Sequence, residues 1–191
     1  MKYARYFGAL ALVLFVLSCA QPPKAEVDAA RAKVAAAQKD TDVLTYAAGP
    51  LQQAKDALAR MEKNLTDKKY PEAKAAAIQA ANLADGAKKD VGPAKEKVKN
   101  EAMAIIDEAK KQLAALLPTV STAKKAAPAG LDLKAIDTDL AAARSRLADA
   151  DASLGAGNFA AARDGAAAAK GSFSDIEKRI SDAIQKARKK K

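Results

Sequence analysis

The sequence contains no histidine and no tryptophan, and its 191 residues include one cysteine and only 4% aromatic side chains. A single cysteine cannot form an intrachain disulfide. Without histidine, neither a Cys/His zinc site nor a Ser–His or Cys–His nucleophile pair can be built. No glycine-rich phosphate loop follows a strand, and no pair of carboxylates is marked as buried. We therefore expect no catalytic residue, no metal site and no cofactor, and we interpret the protein as a non-enzyme.

Alanine carries much of the apolar content, which totals 50% of the chain. A buried alanine removes little area from water, so a core of this kind depends on close helix approach and high helix propensity. The formal charge is +10. Without residues 1–18 it is +8, and five of those charges lie in residues 186–191. The basic character therefore belongs to a tail more than to a face, and we expect no nucleic-acid partner.

The amino-terminal segment MKYARYFGALALVLFVLSC has the order of an export signal. Lys2 and Arg5 precede an uncharged apolar run from Phe7 to Leu17, which is short for a membrane span and typical of a signal peptide. The run ends in Val16-Leu17-Ser18-Cys19, which resembles the bacterial lipobox, although Leu17 is less usual there than Ala or Ser. The resemblance implies cleavage before Cys19 and fatty acylation, of the palmitate type, on that residue.

Several acyl chains would anchor the protein stably on a membrane. The alternatives are an uncleaved signal anchor, or an ordinary signal peptide with an incidental cysteine. The tether after Cys19 contains Pro22 and Pro23, which forbid an immediate helix. No aspartate follows Cys19, and by resemblance to known lipoprotein sorting this favours the outer membrane over the inner one. We expect a lipid-anchored protein that faces the periplasm.

Apolar residues recur at spacings of three and four nearly throughout, which predicts an all-α fold with no β-sheet. We expect an elongated antiparallel bundle of about six helices that contains two related hairpins and packs like a coiled coil. The first helix is predicted to run from Lys24 to Tyr46, with Thr41 and Leu44 on its buried face. Gly49-Pro50 is predicted to end it, with Pro50 in the first turn of the next helix, and Gly92-Pro93 and the turn at residues 155–158 are predicted to separate later helices. The last two helices each have one predicted apolar face. These faces carry Leu133, Ile136, Leu140, Ala143, Leu147, Ala150 and Leu154 in the first of the two, and Phe159, Ala162, Ala166, Ala169, Phe173, Ile176 and Ile180 in the second.

A kink is predicted at Pro118, where a linker begins. The predicted organisation is a signal peptide (1–18), a tether (19–23), a first helical unit (24–117), a linker (118–130), a second helical unit (131–185) and a basic tail (186–191).

An internal repeat emerges when the chain is shifted by 89 residues, because leucines and alanines of two hairpins then coincide. Tyr70 meets Phe159 just after the turn of each hairpin, and we expect these aromatic rings to pack in the core. The alternative is that any two Ala-rich amphipathic hairpins align. The remaining matched pairs are Leu51 with Leu140, Ala54 with Ala143, Leu58 with Leu147, Leu65 with Leu154, Ala73 with Ala162, Lys74 with Arg163, Ala77 with Ala166 and Ala80 with Ala169.

The stretch YAAGPLQQAKDALARMEKNLTDKKYPEAKAAAIQAANLADGAKK, from Tyr46 to Lys89, resembles an uncharacterised helical-hairpin domain of bacterial envelope lipoproteins. The copy near residues 131–176 is similar but lacks the leading tyrosine, and the two cover about half of the chain. The pattern is also similar to tetratricopeptide-like helix pairs. The resemblance implies an envelope location and a helical fold, and it implies no activity.

The carboxy terminus Ala187-Arg188-Lys189-Lys190-Lys191 has three interpretations: a solvated basic end, attraction to anionic lipid or envelope polymers, and attachment of Lys191 to peptidoglycan. The last rests on a resemblance to Braun-type lipoproteins, which are joined to the wall through a terminal lysine. We expect a non-enzymatic scaffold, spacer or protein-binding module, with the membrane, peptidoglycan or envelope proteins as its partners. The alternative is a carrier that binds a lipid or other apolar ligand between its helices.

Overall fold

The computed structural model describes residues 21–128 and 130–189 of the chain. Over these ranges the backbone forms six α-helices and no strand, so the predicted all-α helical bundle is confirmed. The helices are α1 (Lys24–Lys39), α2 (Thr41–Tyr46), α3 (Ala48–Thr66), α4 (Tyr70–Ala126), α5 (Leu133–Gly155) and α6 (Phe159–Lys189).

The predicted first helix is interrupted at Asp40. The Asp40 carboxylate accepts hydrogen bonds from the backbone N–H groups of Asp42 and Val43 at 3.0 and 3.2 Å, so it caps a new helix and ends the old one. The prediction of an unbroken helix with Thr41 and Leu44 on the buried face is therefore wrong. Both side chains are exposed, and Val43 is buried in their place.

Of the two predicted Gly-Pro boundaries, the first is confirmed and the second is wrong. A helix ends at Tyr46, and Gly49-Pro50 lies in the first turn of α3, where a missing N–H leaves no helical bond unmade. Gly92-Pro93 lies inside α4, which is 57 residues long in total and also contains Pro118. Both internal prolines are exposed, so solvent can reach the carbonyl groups that lose their partners. Buried side chains on both sides hold the helix together, and the predicted linker shrinks because Val120 and Ala123 are buried parts of α4.

The contacts divide the chain into two compact units, whose described parts lie within residues 21–91 and 92–189. We call them unit 1 and unit 2. The sequence had placed a linker at residues 118–130, and α4 occupies that range as far as Ala126. Each unit consists of three long helical segments: α1, α3 and the first part of α4 in unit 1, and the second part of α4 with α5 and α6 in unit 2.

The core of unit 1 is built mainly from alanine, which supplies 11 of the 16 residues in its buried cluster. Its larger members are Val27, Val34, Val43, Leu51 and Met61. Small side chains at spacings of three and four let the helices approach closely, but each one contributes little buried area.

The core of unit 2 contains larger side chains. Its cluster of 17 residues has eight alanines, four isoleucines and Phe173, the largest fully buried side chain of the described chain. The inner face predicted for α6, from Ala162 to Ile180, is buried throughout. In α5 the predicted inner face is confirmed except at its ends, where Leu133 and Leu154 are half-buried.

The turns of the two hairpins have the same backbone hydrogen bonds at positions 89 residues apart. In unit 1 the N–H of Lys68 donates to Leu65 O at 3.1 Å and that of Lys69 to Asn64 O at 2.8 Å. In unit 2 the N–H of Gly157 donates to Leu154 O at 3.1 Å and that of Asn158 to Ser153 O at 2.9 Å. This pairing is that of a Schellman motif, which ends a helix with a residue of positive φ.

Tyr70 and Phe159 begin α4 and α6 directly after these turns, and both are half-buried. Neither belongs to the two buried clusters, so the expected core packing of the two aromatic rings is corrected. A first-turn position at the end of a hairpin leaves one side of each ring open.

Candidate functional site

The two residues predicted to carry attachment, Cys19 and Lys191, lie outside the described residues. The described chain begins at Gln21, and α1 starts at Lys24 directly after Pro22 and Pro23. At the other terminus α6 is helical through Lys189, so most of the predicted basic tail is helical. The candidate surfaces are therefore the polar helix faces and the helix ends within each unit.

In unit 1, ion pairs join α1 to both of its neighbours. Arg31 Nε donates to Glu62 Oε1 on α3 at 2.8 Å, and Arg31 Nη2 donates to Oε2 at 2.8 Å. Lys74 Nζ of α4 lies 2.7 Å from Glu26 Oε1 of α1. Since α1 also pairs through Lys33 with Asp85 further along α4, it runs parallel to α4 and antiparallel to α3.

In unit 2, α4 takes the place that α1 has in unit 1. Lys110 Nζ of α4 lies 3.0 Å from Asp151 Oδ1 of α5, and Lys124 Nζ lies 2.6 Å from Asp137 Oδ1. Pairs from Glu101 and Glu108 to α6 follow in the same order along both helices. The second part of α4 is therefore antiparallel to α5 and parallel to α6.

These contacts shift several pKa values in the direction that keeps the side chains charged. The hydrogen bond from Arg31 lowers the pKa of Glu62 below its ordinary value. Lys74 lowers the pKa of Glu26, and Lys33 lowers that of Asp85, in both cases chiefly through a hydrogen bond. All of these groups are substantially exposed, and a lowered carboxylate pKa at a surface ion pair is a structural feature rather than a sign of acid–base chemistry.

Clefts between the helices are lined by charged and small side chains. One lies between α5 and α6 and is bordered by Asp139, Arg146, Asp175 and Arg179. Over residues 21–128 and 130–189, no polar or charged residue is buried and no group of three or more acidic, cysteine or histidine side chains is placed to hold a metal ion. In the same ranges, no helix has the length and apolar character needed to cross a bilayer.

Among the described residues, Gln112 has the one buried side-chain polar atom that lacks a hydrogen-bond partner. Its Nε2 donates to Ser174 Oγ on α6 at 2.8 Å, while its buried Oε1 has no hydrogen-bond partner. The group lies at the contact between α4 and α6, and a single unsatisfied carbonyl oxygen there marks no reaction site.

Comparison with protein-family models, with curated proteins and with solved structures found no match to this chain. The sequence did not predict that charged residues of different helices pair with one another. Opposite charges recur beside the apolar positions of the helices, and this was the signal for pairing. Which residues pair depends on how the helices are aligned when they pack together.

Proposed function

We propose that this protein is a non-enzymatic bacterial lipoprotein, cleaved before Cys19, anchored on the outer membrane through acyl chains on that cysteine and facing the periplasm. Its helical body acts as a scaffold, spacer or protein-binding module. The segment that supports the anchor is the sequence from Lys2 to Cys19, in which a positive start, an apolar run and Val16-Leu17-Ser18 precede the cysteine.

The role of the body is supported by its closed, alanine-rich packing. In unit 1 alanine dominates the buried cluster, and in unit 2 Phe173, isoleucines and leucines fill the space between helices. The clefts at the surface are bordered by charged side chains, such as Asp139 and Arg179, which suit water better than an apolar ligand. These features favour a scaffold over the alternative, a carrier of lipid between the helices.

The anchor is tested by metabolic labelling with an alkyne fatty acid in cells that express the full chain. We expect Cys19→Ala to abolish labelling and to release the protein from the membrane fraction, while the neighbouring Ala20→Ser leaves both unchanged. Recovery of the wild-type protein from the cytosol with Met1 in place and a free thiol would contradict the proposal.

The scaffold role is tested by photo-crosslinking from exposed apolar side chains. Leu44, Ile78, Met103 and Leu117 are between 41% and 47% exposed, and they are the large apolar groups that a protein partner would cover first. A photoreactive amino acid at these positions should capture a defined protein in whole cells, and one at the exposed polar position Gln53 should not. A stoichiometric lipid extracted from the purified protein, beyond the acyl chains, would favour the carrier.

Attachment of Lys191 to peptidoglycan is a separate proposal for the carboxy terminus. Lysozyme digestion of purified walls should release a carboxy-terminal peptide that carries a muropeptide on Lys191. A carboxy-terminal peptide without any such addition would contradict it.

A further inference from the structure

We propose that one end of unit 2 is a docking surface for the anionic headgroups of a lipid bilayer. We call it the basic end, and it brings together cations from the last turns of two helices and the first turn of a third. Its members are Lys124 and Lys125 of α4, Lys134 of α5, and Lys186, Arg188 and Lys189 of α6. This surface rests on the envelope location proposed above, and it adds anionic lipid as a partner of the helical body.

The three helix ends that carry these residues lie side by side. Lys124 of α4 forms its ion pair with Asp137 in the second turn of α5. One cleft is lined on one side by Gly130, Leu131 and Asp132, and on the other by Lys186, Lys189 and their neighbours on α6. Leu131 and Ile184 pack against the same buried cluster, so the start of α5 and the end of α6 share one end of unit 2.

Positive charge is concentrated at this end. Within the described part of unit 2, the basic end has six cations against three nearby acids, whereas the remainder has eleven cations against ten acids. Two of the three acids are engaged, since Asp137 pairs with Lys124 and Asp132 accepts a hydrogen bond from the N–H of Ala135 at 2.9 Å. The third is Asp182. The five cations other than Lys124 belong to none of the ion pairs formed among the described residues.

Helix stability alone does not account for this distribution. Lysine in the last turn of α4 or α6 is favoured by the helix dipole, and that explains part of the cluster. Lys134, however, is in the first turn of α5, where the dipole disfavours a cation and no acidic residue is present. A lysine at that position costs the isolated helix a little, and an anionic partner at the basic end offsets the cost.

The arrangement suits a surface better than a linear polymer. Three separate helix ends form a two-dimensional patch, whereas a single polyanionic strand is held most effectively by a groove or a continuous stripe. Between Lys125 and Asp132 the sequence contains no charged residue, so no acidic side chain of that connection opposes approach to phosphate groups.

The experiment measures vesicle binding by the mature chain, residues 19–191, with Cys19→Ser so that no acyl chain contributes. All members of both buried clusters lie within this chain. Flotation is compared for vesicles of phosphatidylcholine alone and with one-third phosphatidylglycerol. We expect binding to the anionic vesicles only, with loss of binding at high salt because screening weakens exposed charge interactions.

Two matched triple variants separate the basic end from net charge. Replacing Lys186, Arg188 and Lys189 by Glu should lower the partition coefficient by more than about tenfold. Replacing Lys55, Lys63 and Lys69 of unit 1 by Glu makes the same change in net charge and should lower it by less than about threefold. Circular dichroism of all three proteins checks that the helices remain formed.

Equal losses in the two variants would contradict the proposal, because the attraction would then come from net charge alone. Absence of binding to anionic vesicles by the folded wild-type chain would also overturn it. Preference for soluble polyphosphate over the vesicles would make the basic end a polymer site instead. None of these results depends on acylation of Cys19, which the labelling experiment tests separately.

Discussion

At the turns after α3 and α5, one residue in each hairpin has a positive φ. It is Lys68 in unit 1, with φ of 57°, and Gly157 in unit 2, with φ of 80°. Glycine reaches this region without strain, while a residue with a Cβ atom is held there at a cost of about 1–2 kcal/mol. The same turn is therefore built with a favourable residue in one unit and an unfavourable one in the other.

Lys68→Gly should raise the free energy of unfolding by about 1 kcal/mol, because it removes the left-handed penalty without changing the turn. The reciprocal variant Gly157→Ala should lower it by a similar amount. Urea unfolding followed by circular dichroism measures both. A loss of stability in Lys68→Gly would show that flexibility gained by the unfolded chain outweighs the strain.

The pair between Arg31 and Glu62 predicts a pH dependence. The pKa of Glu62 is lower in the folded protein than its unfolded value of about 4.3, so its contribution is complete above that pH and is lost as pH falls through the folded pKa. We expect Glu62→Gln to reduce the difference in melting temperature between pH 7 and pH 3.

The control is Glu72→Gln, since Glu72 is exposed and belongs to none of the ion pairs of the described chain. It should leave the pH dependence close to that of the wild type. Equal effects of the two substitutions would assign the dependence to general charge repulsion. The effect should be small, because Arg31 and Glu62 both remain about half exposed.

At the scale of the element, α5 and α6 approach each other closely at Gly165. A Cβ atom built on Gly165 would lie 3.3 Å from Ala150 Cβ, which is tight but leaves room for a small adjustment. Gly171, six residues further along α6, is exposed, and a Cβ atom built on it would have nothing within 4 Å. The two glycines therefore differ in packing while they share a helix.

Gly171→Ala should stabilise the protein by about 1 kcal/mol, since alanine has the higher helix propensity and meets no neighbour. Gly165→Ala should give less than this, because the same gain is opposed by displacement of Ala150. Thermal unfolding of the two variants checks the order. A larger gain at Gly165 would mean that the helices separate without cost at this contact.

At the scale of the whole molecule, the two units differ in the size of their buried side chains. Unit 1 relies on alanine, whereas unit 2 buries Phe173 and several isoleucines. Each buried leucine replaced by alanine removes about 2 kcal/mol of transfer free energy, so unit 1 has less hydrophobic stabilisation for its size.

Native-state hydrogen exchange should therefore show weaker protection of amides in α1 and α3 than in α5 and α6. The buried residues of α1 are two valines and two alanines, so its contribution to the core is small. Stronger protection in α1 than in α6 would contradict this order.

Phe173→Ala should lower the free energy of unfolding by about 3–5 kcal/mol, because Phe173 is fully buried and its removal leaves a cavity in unit 2. Exchange should accelerate in α5, α6 and the second part of α4. Phe173→Leu is the matched variant and should lose less. An Ala variant as stable as the wild type would mean that the core collapses around the missing ring.

The sequence by itself determined the helical class and the inner faces of α5 and α6, because spacings of three and four suffice to define which side of a helix is apolar. The sequence also predicted the hairpin turn at residues 155–158, because two glycines and an asparagine lie within these four residues. The resemblance of Val16-Leu17-Ser18-Cys19 to a lipobox rests on a local pattern and needs no fold. Acylation of Cys19 stays a prediction, since this residue lies outside the described ranges.

Only the tertiary structure decided that α4 runs through Gly92-Pro93 and Pro118, since the cost of an exposed proline is offset by buried side chains on both sides of it. It also decided that charged residues pair across α1, α3 and α4, and that cations from three helix ends meet in unit 2. These outcomes depend on which distant segments lie side by side, and periodicity along one segment carries no information about that.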